Sequence, residues 1–212
     1  MKLVLLGAPG VGKGTQAKKF SKHFNIPHIS TGDILRKEIK KGTELGKKAV
    51  QFVESGKLVP DTVIIEIIKN KIGNSSSEKG FLMDGFPRNL KQSKMFSDML
   101  DKMGIKLDKV INIVVGSDEI IERLSRRRTC GVCHEIFSID NKDRSSNAKC
   151  PKCGGDLIKR KDDDIKVIKN RLEVYEAETK LLTDFYARKG LLINIDGSGK
   201  EKEVTGRILK HL

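Results

Sequence analysis

Residues Gly7 to Thr15 read Gly-Ala-Pro-Gly-Val-Gly-Lys-Gly-Thr, directly after the apolar run Lys2 to Leu6 and overlapping a helix-prone stretch from Lys13 to Phe24. A strand that feeds a glycine-rich turn and then a helix leaves few folds open. In the pattern G-x-x-x-x-G-K, the glycines let successive backbone N–H groups point into one concave nest at the positive end of the helix. Lys13 adds a full charge for the β- and γ-phosphates of a nucleotide, and Thr15 can serve phosphate or the shell of a magnesium ion. Ser or Thr usually follows the lysine directly; here Gly14 intervenes. Gly10, Val11, Gly12, Lys13, Gly14 and Thr15 are therefore the expected triphosphate cradle.

Downstream, short apolar segments alternate with helical patterns. Pro27 to Ile29, Phe81 to Met83, Val110 to Val115 and Leu191 to Ile195 read as further strands. Ser30, three residues before Asp33, marks a helix start. Pro60 fits the first turn of a helix in which Val63, Ile64, Ile67 and Ile68 share a face. Leu90, Phe96, Met99, Leu100 and Met103 outline another. Ser117, Asp118 and Glu119 suit a helix N-terminus. Ile165, Ile168, Leu172, Tyr175, Leu182 and Tyr186 follow one long helix with a single wider gap. The alternation predicts an α/β domain whose parallel sheet is covered on both faces. The 212 residues suffice for one such core with small insertions. Residues 126 to 163, rich in Cys, Gly, Lys and Asp, break the alternation and read as an inserted module.

That module holds all four cysteines, as Cys130-x-x-Cys133 and Cys150-x-x-Cys153 with 16 residues between the pairs. With no export signal, disulfides are not expected, and the spacing predicts a closed four-thiolate zinc site of structural type. His134 beside it reads as a surface histidine. The chain carries a formal net charge of +14, which makes nucleic acid an obvious partner to test. The lysines, however, are dispersed through every segment. From Arg126 to Asp163 ten Lys or Arg stand against six Asp or Glu, and four thiolates with one zinc reduce that surplus further. Phe137 alone could stack a base there. No nucleic-acid partner is expected, and with neither a bilayer-length apolar run nor a signal peptide the expected location is cytoplasmic, away from membranes.

The Gly-Lys-Gly-Thr ending brings a family into view. Gly7 to Gln16, Ser30-Thr31-Gly32-Asp33 with Arg36, Gly56-Lys57-Leu58-Val59, Asp84-Gly85-Phe86-Pro87-Arg88 with Gln92, Arg160-Lys161-Asp162-Asp163 and Arg171-Leu172 follow in an order and spacing that resemble the nucleoside monophosphate kinases, adenylate kinases above all. Asp196-Gly197 extends the likeness. The resemblance implies a P-loop NTPase-type core with a five-stranded parallel sheet flanked by helices, formed by residues 1–29, 60–125 and 164–212. It adds a helical AMP-binding insert at 30–59 and a small zinc-bound lid at 126–163. It implies a monomer that takes MgATP and AMP and releases ADP.

The same resemblance assigns roles. Lys13, Asp84, Arg88, Arg123, Arg160 and Arg171 would be catalytic, with Asp84 reaching Mg²⁺ through water and Arg123, Arg160 and Arg171 closing over the transferring phosphoryl. Arg127 would lie near the adenine of ATP, with Ile136, Phe137 and Gly199 completing that site. AMP would sit among Thr31, Arg36, Lys57, Leu58, Val59, Gly85, Phe86, Pro87, Arg88 and Gln92, with Arg160 and Arg171 at its phosphate. Arg36 and Arg88 would grip that phosphate while Thr31 and Gln92 bond the adenine edge. Asp162 and Asp163 would tie Arg160 at the lid hinge; Arg126 and Arg128 have no role and read as surface charge. Two stretches depart from the pattern. Asn89 and Lys91 stand where Thr and Pro are usual, and Ile139-Asp140-Asn141-Lys142 replaces the Phe-Asn-Pro-Pro of long lids. The rival readings are a kinase for another monophosphate and an ATP-gated nucleic-acid-binding protein.

Overall fold

The computed structural model describes residues 1–74, 79–139 and 148–212. Its centre is strand β1 (Lys2–Leu6), whose alternate side chains serve opposite faces of a sheet. Leu3 and Leu5 pack on one side with Phe20, Ile111, Ile120 and Ile168. Val4 and Leu6 pack on the other with Ile68, Phe86, Phe96 and Leu182. A strand apolar at every position must be covered on both faces, and each fully buried aliphatic side chain contributes roughly 1.5–3 kcal/mol relative to exposure.

Helix α1 (Lys13–Phe24) leads to β2 (His28–Ser30). The Ser30 side chain accepts from the Asp33 N–H at 3.3 Å and so starts α2 (Thr31–Lys41). Thr43 caps α3 (Glu44–Ser55) in the same way, accepting from the Gly46 N–H at 3.1 Å. Pro60 lies just outside α4 (Asp61–Asn74), its carbonyl accepting from the Val63 and Ile64 N–H groups, so it precedes the first turn that the sequence pattern assigned to it. Then come β3 (Phe81–Asp84), α5 (Leu90–Lys102), β4 (Lys109–Val114) and α6 (Ser117–Arg126). After the small module, α7 (Ile165–Val174), a π-helical turn (Tyr175–Thr179) and α8 (Leu181–Arg188) form the long helical stretch. The wide gap in its apolar spacing falls at the π turn. Strand β8 (Leu192–Asp196) and α9 (Glu201–Leu209) close the fold.

The five strands are parallel in the order β2-β3-β1-β4-β8, as the alternation implied. In such sheets ligands bind beyond the carboxyl ends of the strands. Leu5 of β1 pairs with Asp84 of β3, so the register sets Asp84 beside the glycine-rich loop. A second sheet, antiparallel, has β5 (Arg127–Cys130) between β6 (Ile136–Ser138) and β7 (Leu157–Ile158). No helix among the described residues is long and apolar enough to cross a membrane. The expected departure at 139–142 lies, from Asp140 onward, outside the described residues.

Candidate functional site

A cleft of about 470 Å³ opens beyond the carboxyl ends of the strands, a size suited to a nucleotide. Its floor is the loop after β1. Gly7 has φ 134°, and a Cβ there would stand 2.4 Å from the Ile113 carbonyl, so only glycine lets β1 and β4 stay in register at this point. Gly12, also at positive φ, starts α1 without any side-chain cap, which leaves the first-turn N–H groups to an outside acceptor. The Lys13 ammonium folds back and donates to the Gly7 and Ala8 carbonyls at 2.7 and 2.8 Å. Burial lowers its pKa to about 7; Asp84 opposes the shift, and Arg88, Arg171 and Arg127 add to it.

The cleft is strongly cationic. Lys13, Arg36, Arg88, Arg123, Arg127, Arg160 and Arg171 line it against Asp33, Asp84 and Glu201. Burial, with Arg171 next, pulls Arg88 down to about 10. Burial, with Arg36 and Arg127 next, does the same to Arg160. A site in which several guanidiniums lose hydration beside one another is built for a polyanion.

Two carboxylates organise this cluster. Asp163, with no exposed side-chain surface, accepts both Nε and Nη2 of Arg127, a fork-to-fork pair. Asp162 takes Arg171 at 3.1 Å and faces Arg36 at 3.7 Å. Arg160 is not their direct partner, contrary to expectation; its Nε donates to Thr129 Oγ1 at 2.8 Å. Arg123 and Arg127 have different surroundings. Arg127 belongs to the cluster with Asp163 and Arg171. Arg123 instead donates to the Gly197 carbonyl at 2.9 Å and the Val11 carbonyl at 3.4 Å, and also pairs with Glu119. α6 ends at Arg126 and Arg127 begins a strand, so the two arginines leave on different elements. Arg126 pairs with Glu122 at 2.7 Å, and Arg128 donates to the Ser125 and Arg127 carbonyls.

Around Arg123 the cleft is bordered by Gly197 and Gly199 on one side and by Ile136 and Phe137 of β6 on the other. Glu135, next to β6, ties the small sheet to the core through Lys18 at 2.8 Å and binds Lys152 at 3.1 Å. Gly14 lies beside Asp84, and Thr15 lines the cleft. A Cβ at Gly14 would stand 3.4 Å from Asp84 Oδ2, an ordinary contact that places the carboxylate beside the loop. His28 Nε2 is 3.4 Å from the same oxygen.

A smaller recess of about 50 Å³ adjoins the cleft, bordered by Thr31, Arg36, Lys57, Leu58, Val59, Gly85, Phe86, Arg88 and Gln92. Gly56, φ 76°, ends α3 where a Cβ would sit 2.8 Å from the Arg171 side chain, so this close approach also requires glycine. Pro87 lines the main cleft, after a cis peptide. Phe86 is wholly buried and packs edge-on against Phe96 at 5.3 Å, so it belongs to the core as much as to the recess. Gln92 and Thr31 are not free: Gln92 accepts from the Arg88 N–H at 2.7 Å and donates to Asp61 at 2.8 Å, and Thr31 donates to the Gly85 carbonyl at 2.8 Å. The sequence reading missed Asp61 and Thr179, whose hydroxyl donates to the Arg88 carbonyl at 2.7 Å. The π turn that positions Thr179 had a trace in the wider apolar gap; Asp61 left none, because its role depends on two helix starts meeting.

Cys130, Cys133, Cys150 and Cys153 converge with all four sulfurs within 4.8 Å of one another. The Cys130–Cys153 and Cys133–Cys150 separations, 3.5 and 3.7 Å, are far from a disulfide bond. They approach the edge of a tetrahedron with Zn–S bonds of about 2.3 Å, roughly 3.8 Å. The Val132 and Cys133 N–H groups both point at Cys130 Sγ at 3.4 Å, as donors to a thiolate. The four sulfurs fit a zinc ion.

Comparison with known proteins agrees with this geometry. A family model described as "Adenylate kinase" matches residues 5–191. The adenylate kinase of Caldicellulosiruptor bescii is 47% identical over 212 residues, covering 100% of this chain and 99% of the relative. That of Methanocella arvoryzae is 48% identical over 98% of this chain and 96% of its own length. That of Archaeoglobus fulgidus is 45% identical over 97% and 94%. A phosphate loop with its lysine turned inward, an arginine cluster oriented by paired aspartates and full-length identity of this order place the chain in the adenylate kinase family.

Proposed function

We propose that the cleft transfers the γ-phosphoryl of ATP to AMP, reversibly, giving two ADP. The observation that carries this reading is the row of buried cations between the loop after β1 and the recess, which provides for two anionic ligands facing one another. The core is formed by residues 1–29, 60–125 and 164–212, the acceptor insert by 30–59 and the lid by 126–163.

Phosphoryl transfer requires alignment and charge stabilisation rather than covalent help. The first-turn N–H groups of α1 and Lys13 hold the β- and γ-phosphates. Arg36 and Arg88 hold the acceptor phosphate, and Arg127, Arg160 and Arg171 surround the phosphoryl in transit. The nucleophile is an AMP phosphate oxygen already ionised near neutral pH, so no general base is needed. The base of ATP lies by Arg123 and Gly199, under Ile136 and Phe137. Asp84 and Thr15 offer oxygens that would hold Mg²⁺, which would supply charge neutralisation for the phosphates. The lid excludes water, so that the phosphoryl reaches AMP and not hydroxide. The four cysteines hold zinc in a structural role.

A phosphorus NMR time course with MgATP and each of AMP, GMP, CMP and UMP tests this. ADP forms rapidly with AMP, and absence of transfer to any acceptor overturns the reading.

Lys13 adds a calorimetric prediction. With the cleft open its pKa is about 7, so at pH 8 most of it is neutral. A bound triphosphate returns it toward the ordinary lysine value, and binding must take up a proton. The expected uptake is close to one proton at pH 8, about half at pH 7 and little at pH 6. Titrations of MgATP in buffers of different ionisation enthalpy measure it. Buffer-independent heats at pH 8 would contradict the low pKa.

A further inference from the structure

We infer that Asp61 determines which purine edge the acceptor recess admits, by fixing the side-chain amide of Gln92. The inference rests on the reading of the recess as the AMP site. Gln92 is 2% exposed and borders the recess. Asp61, the first residue of α4, borders neither the recess nor the cleft. Its Oδ1 accepts from Gln92 Nε2 at 2.8 Å and from Asn89 Nδ2 at 3.2 Å, while Lys91 stands 3.6 Å from Oδ2. Asn89 in turn caps α5, its Oδ1 accepting from the Gln92 N–H at 2.7 Å. Asn89 and Lys91, one of the two departures from the family pattern, thus both face Asp61.

An ionised carboxylate can only accept, so Asp61 forces the Gln92 NH₂ toward itself. The Arg88 N–H can only donate, and it holds Gln92 Oε1 at 2.7 Å. Between them the amide has a single orientation, and the lone pair left on Oε1 is what Gln92 can offer a base. Thr31 has given its proton to the Gly85 carbonyl, so its oxygen too offers only lone pairs. A recess whose two polar side chains accept at these points suits a purine with a 6-amino group. A 6-oxo purine sets a carbonyl oxygen against them, and a buried pair of facing acceptors is unfavourable. Asp61 touches no substrate and acts as a positioning residue.

The test compares kcat/KM for AMP with that for IMP, which replaces the amine by an oxo group. The wild type prefers AMP. Asp61→Ala removes the anchor, and the AMP:IMP ratio falls about tenfold, mainly through KM for AMP, with KM for ATP unchanged. Asp61→Asn still presents an oxygen to Gln92 Nε2 and keeps the ratio within about threefold of wild type. If the alanine variant does not fold, Asp61→Ser, too short to reach Gln92, supplies the same comparison. A loss that is equal for both nucleotides, leaving the ratio unchanged, means a merely structural Asp61 and overturns the inference. So does a wild type that uses IMP as well as AMP. Absence of AMP phosphorylation by the wild type would instead overturn the function on which the inference rests.

Discussion

Arg88→Ala is expected to lower kcat/KM for AMP by roughly three orders of magnitude while leaving the melting temperature unchanged or slightly raised. The two halves of that expectation have one cause. Arg88 is a buried cation whose Nε donates to the Gly85 carbonyl at 2.7 Å, and among the described residues no carboxylate pairs with it. Burial and the neighbouring Arg171 both disfavour its charge, which brings its pKa down to about 10. An anion between Arg36 and Arg88 removes that disadvantage, so the charge is useful only when substrate is present. The backbone at this point is held independently, by Gln92 at the N–H and Thr179 at the carbonyl, each at 2.7 Å. Truncation therefore loses one side-chain hydrogen bond and relieves repulsion within the cluster.

Asp163 provides the contrast. Its side chain has no exposed surface and neutralises Arg127, so Asp163→Ala leaves a buried guanidinium uncompensated and costs about 3–5 kcal/mol. Steady-state kinetics beside thermal unfolding followed by circular dichroism separate the two variants. Near wild-type turnover in Arg88→Ala would remove the residue from the site. A melting temperature that falls in step with activity would make its role structural.

Much of this arrangement is legible before any coordinates. Strands apolar at every position, such as Leu3 to Leu6, can only lie inside a covered sheet. The glycine-rich loop and the two Cys-x-x-Cys pairs carry local geometry in their spacing, and the sheet and the sulfur cluster agree with them. What is not legible depends on contacts between distant segments. Arg123 and Arg127 are four residues apart, yet α6 ends between them, and Arg123 meets the Gly197 carbonyl while Arg127 meets Asp163. Asp162 and Asp163 follow Arg160 closely in the chain but reach Arg171, Arg127 and Arg36 instead. Gln92 is expected at an adenine edge, and the start of α4 also holds its amide. In each case the residue type announced a polar role, and tertiary apposition chose the partner.

Removing the metal from the four cysteines should lower the melting temperature by an amount on the order of 10 °C, at roughly 2–4 °C per kcal/mol for a chain of this size. The sheet that carries the cysteines is made of strands of four, three and two residues. Strands this short are not stable alone in water. Among the described residues neither apolar cluster includes one between Arg127 and Lys159, so that part of the segment adds nothing to either cluster. Its buried side chains include Cys130 and Cys150 themselves. Four sulfurs within 4.8 Å of one another suit a shared cation, and without one only weak sulfur contacts join them. The loss reaches the core because Arg127 opens β5 and supplies the fork that neutralises Asp163. Disorder in the small sheet therefore weakens a buried ion pair as well as the Lys18–Glu135 contact. The measurement is metal content, melting temperature and activity at 25 °C before and after chelation, with magnesium restored for the assay. Activity at that temperature should fall less steeply than stability, since none of the four cysteines lines the cleft. A metal-free protein with an unchanged melting temperature would mean that the cysteines do not hold the segment together.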